Sequence, residues 1–567
     1  NNDWTSNGGL TESDVMVDSP TNNFATLNPL SSYSTITLSE GNLKAAETAN
    51  VGRTSFSSIP LESGKWYFEV YIVAAGVYAG VGISDDGYTG SSYSGDSADS
   101  YGYLSHTGDK YNNGSATSYG ATFTTGDIIA ATFDVATGTL TYYKNNVSQG
   151  AAFTGITSMQ IPAVSPRNGS VIANFGSDSS FAGNKTPQAN SDSNGIGDFF
   201  YPVPNSYLAL CTANLPSVDV IPSEHFNTVL YTGDGASRSI TGVGYQPDLT
   251  WIKCRDATRF NMWYDSVRGA TKALRSSLSN AEITGATTLT AFDTDGFSLG
   301  SDSDVNTNNE TYVAWNWKAG GTAVSNTNGS ITSSVSANPS AGFSIVSYTG
   351  NSTTGATVGH GLSQIPDMII TKGRSNSGQW VTWQKDLTGA FDSNGAYVYL
   401  NSTGQPATTT VFYDGTGFTS SVFKWRGGNE NVNQSSRTYL SYCFNNVDGF
   451  LKTGTYGGNG STNGPFVYCG FKPAFLILRN IGSSGEWIMQ DDARQTFNAD
   501  AAYNLAANRS VEENNGTYLG GPTNANNVDW LSNGFKIRAD NGNCNAVGGT
   551  FLFIAFAESP FKHTNAR

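Results

Sequence analysis

The sequence has few charged residues. Asp, Glu, Lys and Arg together make up 13% of its 567 residues, about half of the roughly 25% found in an average globular protein. Lys and Arg form no run anywhere, and the formal net charge is −15. Because binding to phosphate backbones needs clustered cations, these features exclude nucleic acid as the main partner. The acidic balance instead favours solubility and repulsion between copies.

Long apolar runs are also absent. The longest, Phe551–Ala557, has the length of a strand and is shorter than the roughly 18 residues that a membrane helix needs, so we predict no membrane insertion. The cysteines form no CxxC pair, which argues against a zinc ribbon and a thioredoxin-like site. We therefore predict buried free thiols at Cys211, Cys254, Cys443, Cys469 and Cys544.

Patterns typical of catalytic sites are missing as well. The histidines form no HExxH motif, no pair at ligand spacing and no neighbour of a GxSxG motif. Two pairs of adjacent acids occur, Asp491-Asp492 and Glu512-Glu513. Glycosidases need two carboxyl groups about 5–10 Å apart that face one sugar, whereas neighbours along a strand point to opposite faces. The sequence therefore predicts surface acids and no enzyme.

Glycine and aromatic residues are abundant. The chain contains 65 Gly, and Phe, Trp and Tyr make up 12% of it, which is typical of short strands joined by tight turns. At about 100–200 residues per domain, the length predicts roughly three to five domains. We therefore expect an all-β protein built from tandem antiparallel β-sandwiches.

Residues 1–176 show clear strand patterns. Trp66, Phe68, Val70 and Ile72 occupy every second position, and this period of two predicts a half-buried strand. A later strand reaches Val135 and is followed by a Gly-containing turn and a further strand, which is the pattern of a β-hairpin.

These segments resemble the SPRY domain. The blocks that carry the resemblance are GKWYFEV (Gly64–Val70), AGVGIS (Ala79–Ser84), YGYLSHTGDKYNNG (Tyr101–Gly114), GDIIAATFDVATGTLTYYKNN (Gly126–Asn146) and ANFG (Ala173–Gly176). Their order and spacing fit the family. The resemblance implies a bent, concanavalin-like sandwich of two sheets over residues 1–176, which binds partners through loops at one edge. It brings no catalytic residues.

Tyrosines are concentrated in the Gly- and Ser-rich stretches between these strands. Exposed Tyr side chains on rigid loops give contact area at low entropic cost and can stack on sugar rings. By analogy with the SPRY family, we predict a ligand-binding role for Tyr88, Tyr93, Tyr101, Tyr103, Tyr111 and Tyr119. The alternative is that these rings are buried and pack the loops on the sandwich.

The rest of the chain contains an internal repeat with five landmarks in a constant order. Each copy has an opening aromatic with a Gly-rich turn, a Pro before a strand, a Trp strand, a Gly-Phe turn and a closing aromatic strand. We predict three related, jelly-roll-like sandwiches over residues 226–322, 343–449 and 450–567, with linkers at 177–225 and 323–342. A short helix is expected at Asn498–Ala507.

Acidic residues near the Gly-Phe turn of the first copy are similar to those of calcium loops. Asp293 and Asp295 precede this turn, but the Glu that completes an EF-hand loop is missing. The other copies have Gly417 and Gly534 at the same turn, so the shared requirement is a turn residue before a strand. We predict no metal and no other cofactor, with Ca²⁺ at Asp293 and Asp295 as the alternative.

The repeats also resemble virion proteins of marine and environmental tailed phages. The resemblance lies in Trp317–Leu362, Asp448–Phe475 and Phe553–Lys562. It implies a tail fibre on the exterior of the virion. Such a fibre would contact other virion proteins and further copies of itself, as in a trimer, and it would bind a glycan or protein of the host surface. A capsid decoration protein or head fibre, a glycan depolymerase and a bacterial surface adhesin are the alternatives.

Overall fold

A computed structural model describes residues 22–85, 91–387, 396–408, 417–425, 427–496, 498, 503–519 and 528–563. The chain divides into two compact units, unit 1 (Asn1–Ser217) and unit 2 (Val218–Arg567). Nearly all of the regular structure in both is antiparallel β-strand, which confirms the prediction of an all-β chain of tandem sandwiches. Within the described ranges, the helices are all too short to span a membrane.

Unit 1 is a sandwich of two sheets. Its strands are β1 (Thr37–Ser39), β2 (Lys44–Glu47), β3 (Ser55–Phe56), β4 (Lys65–Ala74), β5 (Tyr78–Ser84), β6 (Ser100–Leu104), β7 (Asp109–Asn112), β8 (Ser115–Ser118), β9 (Ile128–Asp134), β10 (Thr139–Lys144), β11 (Val147–Phe153), β12 (Ile161–Arg167), β13 (Gly169–Asn174) and β14 (Leu208–Ala209). One sheet has the order β1-β2-β13-β4-β9-β10-β11, with β14 pairing β4, and the other has the order β3-β12-β5-β6-β7-β8.

Residues 177–217, which lie inside the predicted 177–225 linker, fold against the first sheet of unit 1. Phe199 packs edge-on against Tyr67 with ring centroids 5.0 Å apart, and β14 pairs with β4. Strand β4 is therefore buried on both faces and not on one. The linker prediction differs from the structure here because this segment is held by individual anchors and shows no periodicity.

The buried carboxylate of Glu69 is the main polar anchor of that segment. It accepts hydrogen bonds from the backbone N–H of Phe200 at 2.9 Å and of Tyr201 at 2.8 Å. The Tyr67 hydroxyl donates to it at 2.9 Å and the Asn174 amide at 3.3 Å. A carboxylate that loses water is stable only when such donors replace it, so the segment and the sheet depend on each other.

Unit 2 holds the remaining strands. They are β15 (Phe226–Thr232), β16 (Arg238–Thr241), β17 (Leu249–Cys254), β18 (Met262–Asp265), β19 (Lys272–Arg275), β20 (Ile283–Thr284), β21 (Leu289–Asp293), β22 (Gly296–Leu299), β23 (Thr311–Trp317), β24 (Val324–Asn326), β25 (Ser333–Asn338), β26 (Phe343–Thr349), β27 (Thr357–Gly359), β28 (Met368–Gly373), β29 (Val381–Gln384), β30 (Ala396–Tyr399), β31 (Ala407–Thr408), β32 (Val422–Lys424), β33 (Thr438–Phe444), β34 (Leu451–Gly457), β35 (Phe466–Tyr468), β36 (Phe471–Asn480), β37 (Trp487–Asp491), β38 (Leu505–Ala506), β39 (Val528–Leu531), β40 (Gly534–Ile537) and β41 (Thr550–Pro560). One helical turn, α1, spans Ser303–Asn306, and 3₁₀ turns span Pro222–Glu224 and Phe561–His563; the 3₁₀ turn Thr212–Asn214 belongs to unit 1.

Three segments of unit 2 have the same strand order, and we call them module 1 (226–317), module 2 (324–444) and module 3 (451–560). Their large sheets run β15-β23-β17-β18-β19-β20, β24-β25-β26-β33-β28-β29-β30-β31 and β34-β41-β36-β37-β38. A smaller sheet completes each sandwich: β16-β22-β21, β27-β32 and β35-β40-β39. In each module the strand with the opening aromatic (β15, β26 and β34) pairs with the last strand, and the last strand pairs with the strand at the landmark proline (β17, β28 and β36).

Two local predictions differ from the structure of unit 2. The predicted linker 323–342 contains β24 and β25, which extend the large sheet of module 2. The predicted helix Asn498–Ala507 is wrong over its described residues 503–507, because Leu505 and Ala506 form β38 and pair with β37. Pairing to a neighbouring strand overrides local helix propensity in this position.

The inner faces of the three large sheets share one apolar core. Its aromatic centre joins the modules: the ring centroid of Phe556 lies 5.2 Å from that of Phe226, 5.5 Å from Trp317 and 6.0 Å from Phe444. Modules 1 and 2 also have their own cores between the large and small sheets. The modules of unit 2 are therefore not independent sandwiches.

We predict that Phe556→Ala destabilises all three modules together, by about 3–5 kcal/mol for a large-to-small core substitution. Hydrogen exchange should then accelerate in β23, β33 and β41. Phe297→Ala is the matched control, because Phe297 is equally buried but lies in the separate core of module 1. Acceleration confined to β41 in the Phe556 variant would contradict a shared core.

Replacing Glu69 by Gln should release residues 177–217 from unit 1. The amide puts an N–H₂ group where the carboxylate accepts from several donors, and an unpaired buried donor costs about 1–3 kcal/mol. Hydrogen exchange at the Phe200 and Tyr201 amides measures the release. Tyr67→Phe removes a single donor and keeps the carboxylate, so it should have the smaller effect; the reverse order would argue against the anchor.

The stability of unit 1 should also depend on pH through Glu69. Burial raises the pKa of this carboxyl from 4.5 to about 7, although its hydrogen bonds act in the opposite direction. An acid whose pKa is raised by folding stabilises the folded state fully below pH 4.5, and this contribution is lost as the pH rises through about 7. The free energy of unfolding, measured with denaturant at several pH values across this range, should depend on pH differently in wild type and in Glu69→Gln. The same pH dependence in both proteins would refute the pKa shift.

Candidate functional site

Glycines on β5 and β6 shape the outer face of the second sheet of unit 1. Gly82 and Gly102 are direct partners in the register of these strands. A Cβ atom on Gly82 would lie 2.8 Å from the Cβ of Ser94, and one on Gly102 would lie 2.1 Å from the Ser94 carbonyl oxygen. The loop around Ser94 can therefore rest directly on the sheet. This close approach explains why glycine stands at positions 82 and 102.

That loop completes a group of rings, which we call the outer aromatic cluster: Tyr78, Tyr93, His106 and Tyr111. The Tyr93 hydroxyl donates to the Tyr111 hydroxyl at 2.9 Å, and the two ring centroids are 5.0 Å apart. Tyr78 lies 5.4 Å from Tyr93 and stacks on His106 at 5.4 Å. His106 is exposed, whereas Tyr93 and Tyr111 are half-buried, so the cluster combines a fixed geometry with an accessible edge.

Two half-buried arginines border the cluster. The Arg167 guanidinium lies 5.2 Å from the ring centroid of Tyr78, and its Nε donates to Asn50 at 2.9 Å. Arg53 lies 4.2 Å from the ring of Tyr33. Burial raises the pKa of Tyr78 to about 12, while Arg167 acts in the opposite direction. The tyrosine is therefore a neutral phenol near pH 7, and the surface offers ring faces, hydroxyls and cations.

The other predicted tyrosines do not join this cluster. Tyr103 is fully buried and packs 5.3 Å from Tyr119 and 5.2 Å from Tyr142, which corrects its predicted ligand role to one of packing. Tyr119 donates to the Gly150 carbonyl at 2.5 Å, and Tyr101 packs separately, 5.0 Å from Phe153. The predicted Tyr88 lies outside the described residues. Of the described members of the predicted set, Tyr93 and Tyr111 alone belong to the outer aromatic cluster, whereas Tyr103 and Tyr119 pack on each other elsewhere.

Several members of the surface were not predicted from the sequence. Tyr78, His106, Arg53 and Arg167 come together only through strand pairing and loop placement. The available signal was weak: Tyr78 alternates with Gly80 and Gly82 on one face of β5, so it shares the face that the glycines leave open. Its neighbours could not be inferred without the register of β5 and β6.

The calcium candidates serve as turn caps. Asp295 accepts hydrogen bonds from the backbone N–H of Gly242 at 3.2 Å and of Gly244 at 2.6 Å. Asp293 accepts from the Ser298 hydroxyl at 2.6 Å. Within the part of the chain that the structure describes, no group of three or more His, Cys, Asp or Glu side chains is placed to hold a metal ion. These contacts favour the turn interpretation over a Ca²⁺ site.

In the comparison with known proteins, different family models match unit 1 and unit 2. A model of the SPRY domain matches residues 65–178, which confirms the SPRY prediction for that segment. A model described as domain of unknown function (DUF7483) matches residues 221–560. Ran-binding protein 10 of Danio rerio is 36% identical over 162 residues, covering 26% of this chain and 26% of that protein. The chain thus spans about a quarter of the length of that curated relative.

Solved structures of SPRY domains are also similar to part of the chain. A human SPRY domain is 24% identical, covers 25% of this chain and 94% of that chain, and has a TM-score of 0.22. The SPRY domain of human HERC1 is 21% identical, covers 26% of this chain and 96% of that chain, and has a TM-score of 0.24.

We predict that Gly102→Ala displaces the loop that carries Tyr93. Its new methyl group would meet the Ser94 carbonyl, and the loop must move because backbone cannot yield as a side chain does. The Ser94 amide, which donates to Ser165 at 2.9 Å, should then exchange faster with solvent. Gly80→Ala is the control, since its nearest neighbours are side-chain atoms at 3.2 Å. Equal exchange rates in the two variants would disprove the packing argument.

Proposed function

Since this chain belongs to the family described as domain of unknown function (DUF7483) and carries a SPRY domain before it, we propose that it is a non-enzymatic virion structural protein of a tailed bacteriophage, of the tail-fibre type, that attaches the particle to the host surface. The outer aromatic cluster is the observation that supports attachment. The sequence resemblance of unit 2 to virion proteins supports the location on the tail or capsid exterior. Its neighbours would be other virion proteins and copies of itself.

The cluster has the chemistry of a surface that binds glycans or polar protein loops. Aromatic faces stack on sugar rings, and phenol hydroxyls give directional hydrogen bonds. Arg53 and Arg167 can pair with carboxylates, which acidic host glycans and acidic protein loops both carry. Because Tyr93 and Tyr111 are fixed by their mutual hydrogen bond and by the sheet beneath them, little conformational entropy is lost on binding.

In each pair of adjacent acids that could have served a glycosidase, one acid is engaged in ion pairs with arginine. Asp491 is fully buried and bonds to the Arg494 guanidinium at 2.6 Å. Glu513 bonds to Arg494 at 2.7 Å and to Arg255 at 3.0 Å. A carboxylate whose oxygens are bonded to a guanidinium within the protein is not free to face a sugar. This favours a structural role over glycan cleavage.

Location on the particle is the first test. Gold-labelled antibody against residues 226–562 should mark projections at the tail in electron micrographs of the source virus. Uniform label over the head would replace the tail-fibre proposal by a capsid decoration protein or head fibre. Absence from particles would overturn a virion role and favour a bacterial surface adhesin. Release of new reducing ends from host polysaccharide would show a depolymerase.

Binding by the cluster is tested separately. We expect Tyr111→Ala and Arg167→Ala each to weaken binding of the purified chain to host cells by about tenfold or more, as for residues at the centre of an interface. Tyr119→Phe is the control, because it keeps the packed ring and lies outside the cluster. Unchanged binding in both cluster variants, with tail label intact, would move the attachment site elsewhere on the fibre.

A further inference from the structure

The three modules of unit 2 can be compared position by position because their strand registers agree. Leu249 pairs with Trp317 in module 1, Met368 with Phe444 in module 2, and Phe475 with Phe556 in module 3. Counting along the strands from these pairs identifies equivalent positions. Contacts between modules can therefore be tested for repetition.

Equivalent backbone hydrogen bonds join the modules in a cyclic order. The donors and acceptors are Arg259 N–H to Ser510 O at 2.9 Å, Gly378 N–H to Ser279 O at 2.7 Å, and Gly485 N–H to Thr403 O at 3.2 Å. Module 1 thus donates to module 3, module 2 to module 1, and module 3 to module 2. The modules close a ring within one chain.

Side chains repeat the same cyclic order. Asn261 donates to Ala506 O at 3.2 Å, Trp380 to Arg275 O at 3.1 Å and Trp487 to Tyr399 O at 2.9 Å, and these donors and carbonyls are equivalent in the three modules. A buried cation at one further equivalent position also reaches the neighbouring module: Lys253 to Ser510 O, Lys372 to Ser279 O and Arg479 to Gly404 O. The ring therefore has pseudo-threefold symmetry down to individual bonds.

The interface between modules 1 and 2 adds an ionic network to this common pattern. Asp265 binds Arg268 and also accepts from the Tyr442 hydroxyl of module 2 at 2.9 Å. Arg268 contacts Glu282 at 3.5 Å, and Glu282 pairs with Arg374 of module 2 at 2.8 Å. Asp265 and Arg268 are fully buried.

The interface between modules 3 and 1 has the same network at the equivalent positions. Asp491 binds Arg494 and accepts from the Trp315 indole N–H of module 1 at 3.0 Å. Arg494 contacts Glu513 at 2.7 Å, and Glu513 pairs with Arg255 of module 1 at 3.0 Å. An aromatic donor, two arginines and two acids thus recur in the same roles.

The interface between modules 2 and 3 lacks every charge of this network. Its equivalent residues are Gln384, Leu387, Pro406, Ile481 and Ile554. The backbone hydrogen bonds also differ between the interfaces. The N–H groups of Glu282 and Glu513 donate to the backbone carbonyls of Arg374 and Arg255, whereas Pro406 has no N–H to donate. All five positions differ together: two interfaces each have four charged residues and an aromatic donor, and the third has uncharged residues at all five.

We infer that these five positions form a pairing code that determines which module faces which, and that this code disfavours pairing of non-equivalent modules, within one chain or between two copies. A module docked at the wrong interface would bury a guanidinium or carboxylate against Leu, Ile or Pro without a partner, which is strongly unfavourable. Where many copies of a β-rich chain fold close together, exchange of homologous modules is the competing outcome. The inference does not depend on the proposed function.

The test converts the ionic interface to the uncharged type. Glu282→Leu leaves Arg374 without its carboxylate and should accelerate hydrogen exchange of the Gly378 amide by about tenfold, as expected for a lost buried partner. Adding Arg374→Ile should return exchange towards wild type, because the pair then resembles Pro406 and Ile481. The Gly485 amide at the uncharged interface is the internal control. A double variant that stays as open as Glu282→Leu would overturn the code.

Exchange between copies is measured by refolding tagged and untagged full-length chains together. The amount of untagged chain captured after folded chains are mixed measures ordinary self-association. Any further untagged chain captured after co-refolding therefore reports exchanged modules. We expect an excess for the double variant and little for wild type; equal values would overturn the inference.

The wild-type chain also provides a test without substitutions. Because the Arg374–Glu282 and Arg255–Glu513 pairs are partly exposed and therefore screened by salt to some extent, NaCl should accelerate exchange at Gly378 and Arg259 more than at Gly485. Equal acceleration at the three amides would contradict the distinction between the interfaces.

Discussion

Burial of one aromatic face per module is the constraint on which the organisation of unit 2 depends. Each large sheet has a second apolar face that its own sandwich cannot cover, and such a face must pack against another element. Phe226, Trp317, Phe444 and Phe556 lie where these faces meet. The modules therefore acquire a complete core only as a set of three, which is the behaviour expected of repeats that stack.

A shared core also requires that polar groups near it find partners, and this requirement explains the contacts between modules. Backbone carbonyls at the ends of β19, β30 and β38 receive donors from the next module. Burial lowers the pKa of Lys253 and of Lys372 to about 8, which shows that these cations are retained at a cost. Buried charges are weak contributors to stability but penalise wrong partners severely, so they are suited to distinguish similar interfaces.

Unit 1 uses its two sheets differently. Its first sheet is covered by residues 177–217, with Glu69 as the polar anchor, and is closed to partners over that area. Its second sheet has glycines at Gly82 and Gly102, so a loop can lie on its outer face and hold tyrosines at the surface. The first sheet of unit 1 thus has a covered face, where buried polar groups find partners, and the second sheet carries an ordered aromatic cluster with an accessible edge.

Sequence patterns predicted those features that depend on neighbours along the chain. Alternation at Trp66, Phe68 and Val70 predicted β4, and the repeated landmarks of unit 2 correspond to strands in the same order in each module. Features that depend on register between distant strands could not be inferred, because a shift of one residue exchanges the two faces. The contact of Tyr78 with Tyr93 and the ion pair of Glu513 with Arg255 are of this kind. The adjacent acids looked like surface residues because the contacts of Asp491 with Trp315 and of Glu513 with Arg255 join different modules, and the ring that forms these contacts follows from apolar faces that no single module can cover.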